Sequence, residues 1–318
     1  VVTSIAGLES GLVTADTPSY PRVASWTPPL TTRPITNNGA TCGGTLFEIL
    51  RVSCNTAYAE MGSMTLGPTR MIEGAEGVGF NDRPPIDLPA PARSVFPTDF
   101  GEPLETPGSD TVDPDAPGTI FEDTPSLALS SIGGFDVRAT PLQMALVAAG
   151  VANDGRIPVP HVVSEVRDAD GAVVDEIEPA VWLDAMSPAT AATMRQAMLG
   201  VVESGTAQGL AIPGFEVGGK TGTARVTNDP PQSHAWIVGF AGPPGQAPQV
   251  AVAVVVLDHP AATETGGGRV AAPIARAVLE RALQPPPVAE PATSTTEPTE
   301  QGATEQGAAP LSASRPWR

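Results

Sequence analysis

The sequence predicts an α+β fold with helices packed on an antiparallel sheet, and three observations lead there. Segments 215–226, 234–241 and 250–257 are strand-like and joined only by short turns bearing Pro and Gly. Strands joined so closely run antiparallel, because a parallel return needs a crossover of about a dozen residues or more. Helical patterns stand before this block, at 140–151 and 188–202, and after it, at 269–283; such segregated runs of helix and strand mark the α+β class. Hydrophobic residues make up 41% of the 318, enough for a core.

Taken in order, residues 1–10 read as a helix with Gly11 as its stop. Thr45-Leu46-Phe47-Glu48 is a capping box that opens a short helix through Val52, and a second short helix is expected over 56–61. Residues 81–124 carry many Pro and acidic side chains, and form an expected long ordered loop anchored by Phe80, Ile86, Val95, Phe96 and Phe121. The helix at 140–151 stops near Asp154-Gly155, while 162–166 and 172–177 flank Asp170-Gly171 as a hairpin. The run VAVAVVVL at 250–257 is apolar on both faces, as expected of a strand covered on both sides. From Gln284 onward Pro, Thr, Glu and Ala dominate, and such a stretch cannot bury enough surface to offset the entropy of ordering. The expected organisation is one domain over 1–283 and a disordered tail over 284–318.

Composition narrows the function classes. Seventeen basic against 35 acidic residues give a formal charge of −18, which argues against nucleic acid as a partner because phosphate backbones repel such a surface. His161, His234 and His259 lie far apart, and Cys42 and Cys54 have no His or Cys neighbours at zinc spacing. Neither a metal nor another cofactor is expected. No apolar run approaches the roughly 18 residues of a membrane span, and the opening Val1-Val2-Thr3, without an initiator Met, reads as a piece of a longer product. All basic residues are arginine except one, Lys220.

That lysine sits in Gly214-Phe-Glu-Val-Gly-Gly219-Lys220-Thr221, which satisfies the pattern of a phosphate-binding loop, and the apolar strand ending at Asp258 fits the same reading. A phosphate loop must open a helix, whose N-terminal amides hold the phosphate. Here Thr221, Gly222 and Thr223 follow, then Pro230-Pro231, and these disfavour helix. The alternative is a strand edge beside an acyl-transfer substrate, with Gly222 leaving room, backbone amides donating, and a compact ammonium at Lys220. A second signal is Ser53-Cys54-Asn55 at a helix junction, where residues two apart project to the same side. Alone, such a triplet is more often a helix cap.

Together and in this order, Ser53-Cys54-Asn55 and Lys220-Thr221-Gly222 match the second and third motifs of the penicillin-binding-protein and serine β-lactamase superfamily. The flanking text, TLFEILRVSCNTAYAEMG, SIGGFDVRATPLQMALVAAGVANDGRIPVPHVV, GGKTGTARV and HAWIVGFAG, resembles the transpeptidase domain of class B penicillin-binding proteins, the actinobacterial A-type members above all, over nearly all of 1–283. The resemblance implies D,D-transpeptidation of stem peptides ending in D-Ala-D-Ala, inhibition by β-lactams, a membrane-anchored parent working outside the cytoplasmic membrane, and a membrane glycosyltransferase partner. It implies that Ser53 relays a proton to the leaving amine, that Lys220 bonds Ser53 and favours anionic substrate, and that Asn55 holds the substrate amide. Thr221 and Thr223 would bind the terminal carboxylate, Gly222 would give access, and the Thr223 N–H would form half of an oxyanion hole. The family's first motif, S-x-x-K, is not in these 318 residues, since Lys220 is the sole lysine; the expectation is a cut just downstream of the nucleophile and a chain inactive by itself. A non-catalytic β-lactam sensor or scaffold and a β-lactamase are the alternatives, with a nucleotide hydrolase remote. For Cys42 and Cys54 the extracytoplasmic setting suggests a disulfide, and a free buried Cys54 stands equally open.

Overall fold

The computed structural model describes residues 1–37, 40–229, 231–260 and 266–284. Of the expected tail, 284–318, all but Gln284 lies outside them.

Helix α1 (Val2–Glu9) opens the chain and stops at Gly11, whose φ of 72° is the left-handed conformation that suits glycine. Two antiparallel ribbons follow, β1 (Tyr20–Val23) with β4 (Cys42–Gly44) and β2 (Ser25–Trp26) with β3 (Ile35–Thr36). Next come α2 (Leu46–Val52) and α3 (Asn55–Glu60), then a π-helical turn over Met61–Leu66 and α4 (Gly67–Gly77). The long loop carries the small ribbon β5 (Pro103–Glu105) with β6 (Ile120–Phe121), and its expected anchors Phe80, Phe96 and Phe121 are buried. After α5 (Thr124–Ser130) and α6 (Pro141–Ala152) the chain makes β7 (Arg156–Pro158), the hairpin β8 (Glu165–Arg167) and β9 (Val173–Glu176), and β10 (Val181–Asp184), which pairs with β7. Helix α7 (Pro188–Ser204) leads to the main sheet of β11 (Glu216–Asn228), β12 (Pro231–Gly242) and β13 (Val250–His259), and α8 (Gly267–Ala282) closes the fold.

The main sheet is antiparallel in the order β11-β12-β13, so β11 is an edge among the described residues. Helix α7 packs on β11, α6 on β12 and β13, and α8 on all three. The α+β class holds. Two helices were not expected, one strand expectation needs correction, and the disfavoured phosphate-loop reading is excluded. Helices α4 and α5 occupy stretches for which no element was expected. Val250–His259 is a strand, yet of its apolar run only Val252 is buried, because it is the outer member of the three. The phosphate-loop reading fails on context: Lys220 and Thr221 lie inside β11, so there is no helix N-terminus to receive a phosphate.

Candidate active site

The site begins with how α2 ends. Thr45 opens the helix with its expected capping box, the Glu48 carboxylate accepting from the Thr45 N–H at 2.9 Å. At the other end Cys54 N–H donates to Ile49 O (2.9 Å) and Ser53 N–H to Leu50 O (3.2 Å), the paired bonds of a Schellman stop. The residue at the turn of that motif is usually glycine because it is left-handed. Here it is Ser53, at φ 58° and ψ 55°. The following Cys54 is fully buried and bridged by a disulfide to Cys42 of β4, which ties the turn to the β1–β4 ribbon.

Lys220 reaches this turn from β11. Its Nζ donates to Ser53 Oγ at 2.7 Å and to the Thr221 carbonyl at 2.7 Å. Burial lowers its pKa from 10.5 to about 8, since desolvation penalises the ammonium. The Thr221 carbonyl thus lies on the open edge of β11. N–H and C=O of one residue share a side in an antiparallel strand, and the side alternates; the Thr223 N–H therefore faces the same open edge.

The two threonine hydroxyls already have protein partners. Thr221 Oγ1 lies 2.7 Å from Thr206 Oγ1, and Thr223 Oγ1 accepts from Gly267 N–H at 2.8 Å. A hydroxyl that accepts keeps its own proton to donate, so Thr223 can still serve a carboxylate. Asn55, half-buried, donates from Nδ2 to Thr36 O at 3.1 Å, which orients its amide and leaves Oδ1 without a hydrogen bond among the described residues. The structure thus brings Ser53, Lys220 and Thr221 into one cluster with Thr223 next along the edge, and seats Asn55 at the start of α3.

Thr206 and the glycines at the start of α8 escaped the sequence reading. Thr206 N–H donates to Arg51 O (3.2 Å) while its hydroxyl meets Thr221, so the corner after α7 links α2 to β11. Gly205 permits that approach, for a Cβ there would overlap the Arg51 carbonyl. A Cβ on Gly267 would likewise fall on the Gly222 carbonyl oxygen, and one on Gly268 would crowd Thr221. The legible signal was the run Gly266-Gly267-Gly268.

The model of the penicillin-binding-protein transpeptidase domain matches residues 1–280. The chain belongs to this transpeptidase family. The chain is 38% identical over 292 residues to the peptidoglycan D,D-transpeptidase PbpA of Mycolicibacterium smegmatis, covering 89% of this chain and 54% of that one. To PbpA of Mycobacterium tuberculosis H37Rv it is 36% identical over 255 residues, 78% of this chain and 47% of the relative. The chain thus spans about half the length of these curated relatives. Among solved structures, PBPA from M. tuberculosis superposes with a TM-score of 0.71 at 32% identity, covering 89% of this chain and 59% of that one. Its imipenem acyl-enzyme complex superposes at 0.72 with 33% identity, covering 89% and 58%. Among the described residues no helix is long and apolar enough to cross a membrane.

Proposed function

We propose that this domain is the acyl-transfer domain of a peptidoglycan D,D-transpeptidase, cross-linking stem peptides in cell-wall synthesis. Ser53, Asn55 and Lys220 are its catalytic residues, and Thr221, Gly222 and Thr223 hold the substrate. One observation carries the reading: in a chain matching the family over 1–280, the sole lysine donates to Ser53 Oγ at 2.7 Å. A serine oxygen that accepts from an ammonium has its own proton free for another partner, here the leaving D-Ala nitrogen. Lys220 at the same time puts positive charge where the substrate's terminal carboxylate lies, with the Thr221 and Thr223 hydroxyls as further donors. The Thr223 N–H at the open edge stabilises the oxyanion of the tetrahedral intermediate. Asn55 Oδ1 accepts from the substrate's amide.

The substrates are stem peptides ending in D-Ala-D-Ala. β-Lactams occupy the same groove, since they too present a carboxylate beside a reactive acyl group. The parent protein works at the outer side of the cell membrane, beside a membrane glycosyltransferase that supplies the glycan strands. The nucleophile is the serine of an S-x-x-K segment. The test joins such a segment ahead of Val1 and follows acylation by benzylpenicillin with intact-mass spectrometry. A stable penicilloyl adduct is expected, formed roughly 10²- to 10³-fold more slowly in Lys220→Ala, the loss typical of one charge-stabilising donor. An unmodified mass, or equal rates, would overturn the assignment.

A further inference from the structure

The ribbon of β8 and β9 contributes no residue to the site, and it is the barest element of the fold. Every residue of both strands is exposed, and the two strands pack chiefly on each other. The root of the ribbon is fixed: the Asp87 carboxylate accepts from the Val162 and Val163 N–H groups at 2.8 and 2.9 Å, and Val159 N–H donates to Ala180 O. Yet this segment holds large apolar side chains in water, Val162 at 62% exposure, Val174 at 61%, Val166 at 45% and Ile177 at 39%. Clustered exposed apolar groups mark interaction surfaces. A ribbon of two strands is also marginal in water by itself, and a third strand or a packed face stabilises it.

We propose that β9 is a docking edge for an extended segment of another protein, one whose residues alternate basic and apolar and which joins the ribbon as a third strand. The backbone supplies the edge. Ile177 N–H donates to Ser164 O, and facing residues of an antiparallel pair alternate between bonded and unbonded. The next pair, Glu165 with Glu176, therefore turns its N–H and C=O groups outward, and those of Glu176 lie open on β9. Side chains set the preference. Successive ones take opposite faces, so Val166, across from Asp175, shares a face with Ile177, while Glu176 stands on the other, across from Glu165. Glu165 is neutralised by Arg167 at 2.7 Å. The carboxylates of Asp175, Glu176 and Glu178 have no hydrogen bond or ion pair among the described residues. A strand added at β9 thus meets apolar side chains on one face and an uncompensated carboxylate on the other, the complement of alternating apolar and basic residues. The same charge decides against a second copy of this chain: charged edges guard strands from pairing with their like, and like charges placed opposite each other destabilise a ladder.

The test uses the 318-residue chain and three short peptides, of alternating Lys and Val, alternating Glu and Val, and alternating Lys and Ser, read by NMR and hydrogen exchange at the β9 amides. The Lys-Val peptide is expected to shift these amides saturably and to slow exchange at the Glu176 N–H, the group that a third strand takes as donor. The other two peptides should bind about tenfold more weakly, one lacking the ion pairs and one the apolar contacts. Glu176→Lys combined with Glu178→Lys, both at exposed positions, should reverse the order of the two Val-bearing peptides while amides elsewhere keep their shifts. Equal binding of the two Val-bearing peptides, binding without slowed exchange at Glu176, or no binding of the Lys-Val peptide would overturn the docking edge. Dimerisation of the chain in sedimentation, abolished by the double variant, would overturn it in favour of a second copy.

Discussion

At the scale of single residues, Lys220 carries a pH dependence whose sign can be worked out. Its folded pKa is lowered from 10.5 to about 8 by burial. Below pH 8 both folded and unfolded chains hold the proton, and the fold carries the full penalty of a buried ammonium. Between 8 and 10.5 the unfolded chain holds more protons than the native one, so stability rises with pH, by up to roughly 3 kcal/mol from this group. Affinity for a carboxylate ligand moves the other way, falling about tenfold per unit above pH 8 as the cation is lost. Calorimetric titration of a β-lactam carboxylate between pH 7 and 9.5 checks this, and a flat affinity would contradict it. Ser53 gives a second prediction. A left-handed serine is strained by about 1 kcal/mol, a strain glycine does not share. Ser53→Gly is thus expected to be as stable as the parent or about 1 kcal/mol more stable in urea unfolding, while the S-x-x-K-bearing form of it loses acyl transfer. A variant that merely unfolds would show that Ser53 is there for structure. The motif letters of both residues were legible in the sequence; the Schellman turn that aims Ser53 was not, because its glycine position holds a serine.

At the scale of elements, the seam between α8 and β11 decides whether Thr221 and Thr223 stay in place. Gly267 touches both the Gly222 carbonyl and, through its N–H, the Thr223 hydroxyl. Gly267→Ala must push the helix off the β11–β12 pair, with an expected loss of about 2 kcal/mol and a clear weakening of carboxylate binding. Gly200→Ala, in α7 where nothing lies within 4 Å, controls for the loss of a glycine without a close neighbour, and the same effect on binding from both would refute the seam's role. Which elements were legible follows from where their stability comes. Helix α2 announces itself through the Thr45–Glu48 box, and α6 through Thr140, whose hydroxyl accepts from the Gln143 N–H ahead of an apolar run. Helix α4 does not. It opens with Gly67-Pro68 and contains Gly74 and Gly77, poor helix formers by themselves, and it exists because α1 packs on it so closely that a Cβ on Gly74 would strike Ala6. Such tertiary support leaves no local signal.

At the scale of the whole molecule, the class of fold was readable because turns of Pro and Gly forced three apolar strands to run antiparallel, and the groove because two short motifs far apart in sequence close on each other only in this fold. The last prediction concerns the 318 residues as a polypeptide. Acylation needs a serine whose proton is taken by a nearby base, and the family's base is a lysine next to its serine in S-x-x-K. The sole lysine of this chain is Lys220, whose Nζ already donates to Ser53 Oγ and the Thr221 carbonyl. At neutral pH, below its pKa of about 8, it is an ammonium and cannot take the Ser53 proton. Benzylpenicillin should therefore bind this polypeptide only reversibly, its carboxylate on Lys220 and the threonine hydroxyls, and intact-mass spectrometry should find the parent mass unchanged. A penicilloyl adduct on the bare chain would show that the nucleophile lies within these residues, with Ser53 the first serine to replace by alanine.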